Sequence, residues 1–247
     1  MTRRDGREDT ALRTLVITPH WLRHAPGSAL ITMGETRVLC AVSVEERVPP
    51  HIKDTGRGWV TGEYAMLPAS GQERTAREVV RGRPSGRTME IQRLIGRALR
   101  SVVDAAALGP RTLWVDCDVL QADGGTRTAS ITGAYVALAF ALAKLRERSL
   151  VRAPVLRGLI AAVSVGIVEG RPMLDLDYAE DSSAEVDMNV VRTDDGRYVE
   201  VQGTAESEPF PRERLDQMLA LADVGIDALH RAQREAIGEA LPRVLAR

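Results

Sequence analysis

The sequence predicts an α/β (α+β) protein of two similar halves, each with β-hairpins followed by helices. Three observations carry this prediction. Apolar and polar residues alternate on either side of tight turns, first across 29–44 and again across 158–204. Helical periodicity follows each set, over 88–107 and 131–145 in the first half and after Pro211 in the second. With 247 residues, 44% apolar and 27% charged, the chain can bury a sizeable core as one large domain or two small ones.

The elements follow in order. Residues 29–33 and 36–44 read as a hairpin around Gly34-Glu35, with Val38, Cys40, Val42 and Val44 on one face. Residues 46–87 show little periodicity and much Gly, Pro and Arg, so they read as a long functional loop. From 88 to 107, Ile91, Leu94, Ile95, Leu99, Val102 and Val103 share a helical face, and Gly109-Pro110 stops the helix. Leu113, Val115, Cys117 and Val119 then alternate in a strand ending at Gln121. Residues 131–145 are small and apolar nearly all round, as a buried helix requires. In the second half, 158–168 and 173–178 form a hairpin around Glu169-Gly170. Residues 184–193 and 197–204 form another around Asp194-Asp195-Gly196. Pro211 opens a terminal helix. No residue-level repeat between the halves stands out.

A formal net charge of -1 excludes a polycation that coats nucleic acid indiscriminately, so any such contact must be local. The charged segment 1–7 lacks the apolar stretch of a signal peptide. The longest apolar run, 134–143, falls far short of the roughly 20 residues that span a bilayer. Cys40 and Cys117 read as buried reduced thiols. A soluble cytoplasmic protein without membrane contact is the expectation. His20, His24, His51 and His230 have no ligand spacing and receive no role.

Three constellations could carry chemistry. The first is 121–130, where Gly124-Gly125-Thr126-Arg127 lies between a strand and a buried helix. Glycines let backbone N–H groups approach an anion, and a helix N-terminus adds unpaired donors. Thr126 offers a hydroxyl, and Arg127 a fork matched to phosphate oxygens. The bland alternative is a capped strand-to-helix turn, but a cap needs no cation. The Lys of a Walker loop is missing. The second is an arginine belt, residues 74, 77, 81, 83, 87, 93, 97 and 100, against only Glu78 and Glu90. A solvated helix face accounts for Arg97 and Arg100. Arg74 to Arg87 fall in the aperiodic stretch and would attract a polyanion. The third is acidic: Asp175, Asp177, Glu180, Asp181, Glu185 and Asp187, with no basic residue among them. Asp187 falls within a strand that must pack. Spacing leaves open whether these acids hold a hard divalent ion or form a general-acid pair. Together, anion seat, positive track and carboxylates are the ingredients of phosphoryl transfer.

On these residues the chain resembles the ribonuclease PH family of phosphorolytic exoribonucleases that trim transfer-RNA 3′ ends. The matching blocks run almost end to end. They are Arg4-Asp5-Gly6-Arg7, Arg57-Gly58-Trp59-Val60-Thr61, 86–97, 120–133, Glu180-Asp181-Ser182, Asp187-Met188-Asn189-Val190 and Gln202-Gly203-Thr204-Ala205-Glu206. The resemblance implies the ribonuclease PH / ribosomal protein S5 domain 2-like fold, as one domain over 1–247 with pseudo-repeated halves about 1–148 and 149–247. It implies a homohexamer built as a trimer of dimers. It also implies that Gly125, Thr126, Arg127 and Arg87 hold inorganic phosphate. Asp181 and Asp187 would be the catalytic and magnesium-linked aspartates, and Arg93, Arg74 and Arg77 would contact RNA.

The implied activity is removal of nucleotides beyond the CCA end of tRNA precursors. It releases nucleoside diphosphates, with nucleotide addition as the reverse reaction and further roles in rRNA processing and RNA decay. One stretch departs from the family pattern: Ala69 and Gln72 stand where an arginine and a histidine are expected, which bears on RNA grip and ring contacts. Two alternatives compete. A non-catalytic RNA-binding ring subunit on this scaffold would lack the phosphate arginine or the paired aspartates. A small-molecule phosphotransferase would leave the arginine belt without a purpose.

Overall fold

The computed structural model describes residues 3–206 and 208–246. Its strands are β1 (Leu15–Pro19), β2 (Gly27–Met33), β3 (Thr36–Glu45), β4 (Trp59–Met66), β5 (Thr112–Gln121), β6 (Ile160–Val168), β7 (Arg171–Leu174), β8 (Val186–Thr193) and β9 (Tyr198–Ala205). Its helices are α1 (Gly86–Ser101), α2 (Ala105–Leu108), α3 (Thr126–Glu147), α4 (Tyr178–Ser183), α5 (Arg212–Ile237) and α6 (Leu241–Val244). The first half builds a five-stranded sheet in the order β1-β2-β3-β5-β4. The second builds a four-stranded sheet, β7-β6-β8-β9.

Both expected hairpin regions form, and the register puts Val38, Cys40 and Val42 on the buried face opposite Val119, Cys117 and Val115. Both cysteines are free and buried. Helix α3 packs against β2 and β3 of one sheet and β6 of the other. Its small residues are buried on every side, so one continuous core joins the two halves. The approach is close enough that a Cβ on Gly27 would lie 2.0 Å from the Ala137 carbonyl oxygen. Helix α5 covers β6 and β7 from outside.

Three expectations need correction. The stretch 46–87 is not loop throughout: it contains β4, which pairs in parallel with β5 through the crossover helix α1. Val60, Gly62 and Tyr64 do alternate inward, but the glycine breaks the apolar signal. The helix expected over 88–107 is two helices. Ser85 caps α1 by accepting from the Thr88 N–H, α1 ends at Ser101, and Asp104 caps the short α2. The strand expected over 173–178 ends at Leu174. Asp177 and Glu180 form a capping box, and Tyr178 begins α4.

Candidate active site

Strand β5 delivers the chain to the glycine loop, and α3 carries it away. Gly124 and Gly125 hold φ of +73° and +64°, a region costly for other residues. A Cβ on Gly124 would lie 2.5 Å from the Leu176 carbonyl oxygen, so the loop also packs against the segment that leads into α4. Gly125 is the N-cap of α3 and supplies no side-chain cap. The Thr128 hydroxyl donates back to the Gly125 carbonyl at 2.9 Å instead of capping. The first-turn N–H groups of α3 therefore have no partner in the helix. A plain capped turn would have satisfied them. Here they border a cavity of about 170 Å³ together with Arg87, Thr126, Arg127, Asp181 and Asp187.

Each wall of that cavity has its own support. The Thr126 hydroxyl shares a 2.9 Å hydrogen bond with the Tyr64 hydroxyl from β4. Burial pushes the Tyr64 phenol above its usual range, so it remains protonated and available as a donor. Arg127 is mostly buried. Its Nη1 donates to Gln202 Oε1 at 2.9 Å and lies 3.6 Å from Glu90 Oε2, so it is braced from β9 and α1. Arg87, in the first turn of α1, is exposed at the cavity rim.

The acidic run divides into two groups. Asp175 is buried against Arg13 and Arg7. Glu180 pairs with Arg3, Asp177 caps α4, and Glu185 accepts from the Gly170 N–H. Those four acids hold structure. Asp181 from α4 and Asp187 from β8 face the cavity instead. Burial raises the Asp181 carboxyl above its ordinary range. Burial, reinforced by the negative charge of Asp181, raises Asp187 to about 6. Asp187 Oδ1 is buried with no hydrogen-bond partner among the described residues. A carboxylate pair that repels itself and leaves a buried oxygen bare suits a divalent cation. Among the described residues no group of three or more His, Cys, Asp or Glu could hold a metal. Asp181 and Asp187 are the cavity carboxylates that could hold such an ion.

The arginine belt also divides. Arg97 Nε pairs with Glu200 at 3.1 Å, and Arg100 lies 4.4 Å over the Trp59 ring, so both join elements of the fold. Arg74, Arg77, Arg83 and Arg93 are exposed. The Arg81 side chain lies outside the described residues. Ala69 and Gln72 are both at the surface. Three residues of the site carried no assigned role in the sequence: Tyr64, hidden on the overlooked strand; Gln202, inside a matched block; and Glu90.

The model of the 3′ exoribonuclease family, domain 1, matches residues 11–143, and that of its domain 2 matches residues 158–225. A ribonuclease PH from Moorella thermoacetica is 59% identical over 244 residues, spanning 99% of this chain and 98% of that one. Two solved structures share the fold. Rice (Oryza sativa) Rrp46 has a TM-score of 0.76 at 19% identity, covering 95% of this chain and all of that one. The Archaeoglobus fulgidus exosome with RNA bound to the active site has a TM-score of 0.75 at 22% identity, covering 95% and 92%.

Proposed function

Because the chain belongs to the 3′ exoribonuclease family of ribonuclease PH, we propose that its cavity carries out phosphorolysis of RNA 3′ ends. The protein is a phosphate-dependent 3′-to-5′ exoribonuclease that trims tRNA. The observation that carries the site assignment is the uncapped N-terminus of α3, braced beside Arg127 and facing the Asp181/Asp187 pair.

In this reading Gly125, Thr126, Arg127 and Arg87 seat inorganic phosphate, each donor meeting a phosphate oxygen. A phosphate oxygen attacks the last internucleotide phosphorus in line, forming one P–O bond as the bond to the 3′ oxygen breaks. The departing 3′ oxygen takes up a proton, supplied in this reading by Asp181 in its protonated form. Products are a nucleoside diphosphate and RNA one residue shorter. One phosphoanhydride replaces one phosphodiester, so nucleotide addition from a diphosphate runs as the reverse. Magnesium held at Asp187 would neutralise charge on the phosphoryl oxygens, leaving Asp181 to carry the proton. Arg93, Arg74 and Arg77, all exposed, attract the RNA backbone. The chain acts as one unit of two halves, about 1–148 and 149–247, in a cytoplasmic homohexamer arranged as a trimer of dimers.

The test is incubation with tRNA carrying extra 3′ residues, with and without phosphate. Nucleoside diphosphates that form only with phosphate are expected. Release of monophosphates at equal rates in both samples would refute the proposal. A non-catalytic ring subunit would release neither.

A further inference from the structure

The phosphate loop and the aspartate segment come from different halves, and one buried side chain touches both. Arg13, just before β1, has a side chain only 4% exposed. Toward the second half, its Nη2 donates to Asp175 Oδ1 at 2.7 Å and its Nε to Oδ2 at 3.1 Å. Its backbone N–H reaches Oδ2 at 2.8 Å. Toward the first half, Nη1 donates to the Asp123 carbonyl, and Nη2 lies 3.5 Å from the Gly124 carbonyl oxygen. Thr36 grips that same carbonyl at 2.7 Å, and its hydroxyl accepts from the Asp123 N–H at 3.0 Å. Asp175 is fully buried and holds φ at +53°, a strained conformation for a non-glycine residue.

A lone ion pair would need only charge. Arg13 instead spreads a planar fork over carboxylate and carbonyl acceptors at once, which a lysine cannot do. The peptide geometry gives this grip a consequence. In a trans peptide, C=O and the following N–H point in opposite directions. Holding the Asp123 and Gly124 carbonyls toward Arg13 turns the Gly124 and Gly125 N–H groups the other way. Gly124 and Gly125 line the cavity.

We infer that Arg13, anchored on Asp175 and seconded by Thr36, is a positioning residue that aims the loop's N–H groups at the attacking phosphate. It holds that aim in register with the segment leading to Asp181. The inference rests on the reading of this loop as the phosphate seat.

The test is steady-state trimming with phosphate varied, alongside calorimetric titration with inorganic phosphate. A merely structural role would lower the folded fraction, and so Vmax, at an unchanged phosphate KM. Arg13→Lys is expected to raise the phosphate KM and weaken phosphate binding by about tenfold, the scale for losing charge-assisted hydrogen bonds. Asp175→Asn should act in the same direction. Thr36→Val, a milder change, should raise KM by about threefold. Asp9→Asn is the control, because Asp9 ties the same segment to Arg171 without touching the loop; it should leave KM unchanged. A wild-type phosphate KM in Arg13→Lys would overturn the inference. Should that variant not fold, the same result in Thr36→Val overturns it. Absence of nucleoside diphosphate from the wild-type protein would instead overturn the functional reading, and this inference with it.

Discussion

Two arginine-bearing regions of the molecule are built in opposite ways. Around Arg127 every group is fixed: the guanidinium is braced by Gln202 and Glu90, Thr126 is held by Tyr64, and the loop carbonyls are gripped by Arg13 and Thr36. The stretch bearing Arg74, Arg77 and Arg83 is surface chain. It is moored by backbone bonds such as the Ala122 N–H to the Ser70 carbonyl and the Thr75 N–H to the Pro68 carbonyl, and its arginines stand in solvent. On the proposed function, the difference follows from what each region recognises. A phosphate that has to attack in line needs its oxygens placed to a fraction of an ångström. An RNA backbone drawn past at many registers needs only charge.

The comparison is sharpest at Arg127. Arg127→Ala should raise the phosphate requirement by about a hundredfold or abolish trimming, as phosphate titrations of the reaction would reveal. Unchanged phosphate dependence would leave no distinction between the two regions.

Asp187→Asn should come next, with turnover down by about a thousandfold. The same variant has an opposite effect on stability. In the metal-free protein, burial and the Asp181 charge raise Asp187 from 3.8 to about 6, so its ionised form is disfavoured by folding. The stability that the neutral carboxyl contributes is full below about pH 4 and lost as pH rises through about 6. Asp187→Asn should therefore be more stable than the wild type above pH 6, by up to about 3 kcal/mol, and equal to it near pH 3. Denaturant melts in the presence of a chelator would measure this. A variant destabilised at pH 8 would contradict it.

Tyr64→Phe removes only the hydroxyl that steadies Thr126. The phosphate KM should rise about threefold to tenfold, with a stability loss near 1 kcal/mol. Arg74→Ala and Arg77→Ala should have the smallest effect: RNA affinity falls a few-fold at low salt, and each removes about one unit from the salt slope. Phosphate KM should not move. If either exposed arginine shifted phosphate KM as Arg127 does, the division between seat and track would fail.

The sequence exposes the fixed region better than its supports. Period-2 alternation gave β3 and β5, and the all-round apolar stretch gave α3, because burial leaves a mark at every position of those elements. The seat stood out because glycines, a hydroxyl and an arginine share one loop. Strand β4 escaped because Gly62 sits where α1 comes close, with Ile95 2.8 Å from where a Cβ would be; Tyr64 was lost with it. The acidic run gave no hint that Asp175 and Glu180 serve Arg13 and Arg3 while Asp181 and Asp187 face the cavity. Those partners lie more than 160 residues away in the chain, and no local spacing encodes them.

The central claim is that the loop at Gly124 to Arg127 seats the nucleophile itself. Supplying isotopically labelled inorganic phosphate during trimming of an extended tRNA tests it most directly. Label should enter the β-phosphoryl group of the released nucleoside diphosphate in wild-type protein, and this transfer should be lost in Arg127→Ala. Release of unlabelled nucleoside monophosphate, or undiminished label transfer in Arg127→Ala, would contradict the account.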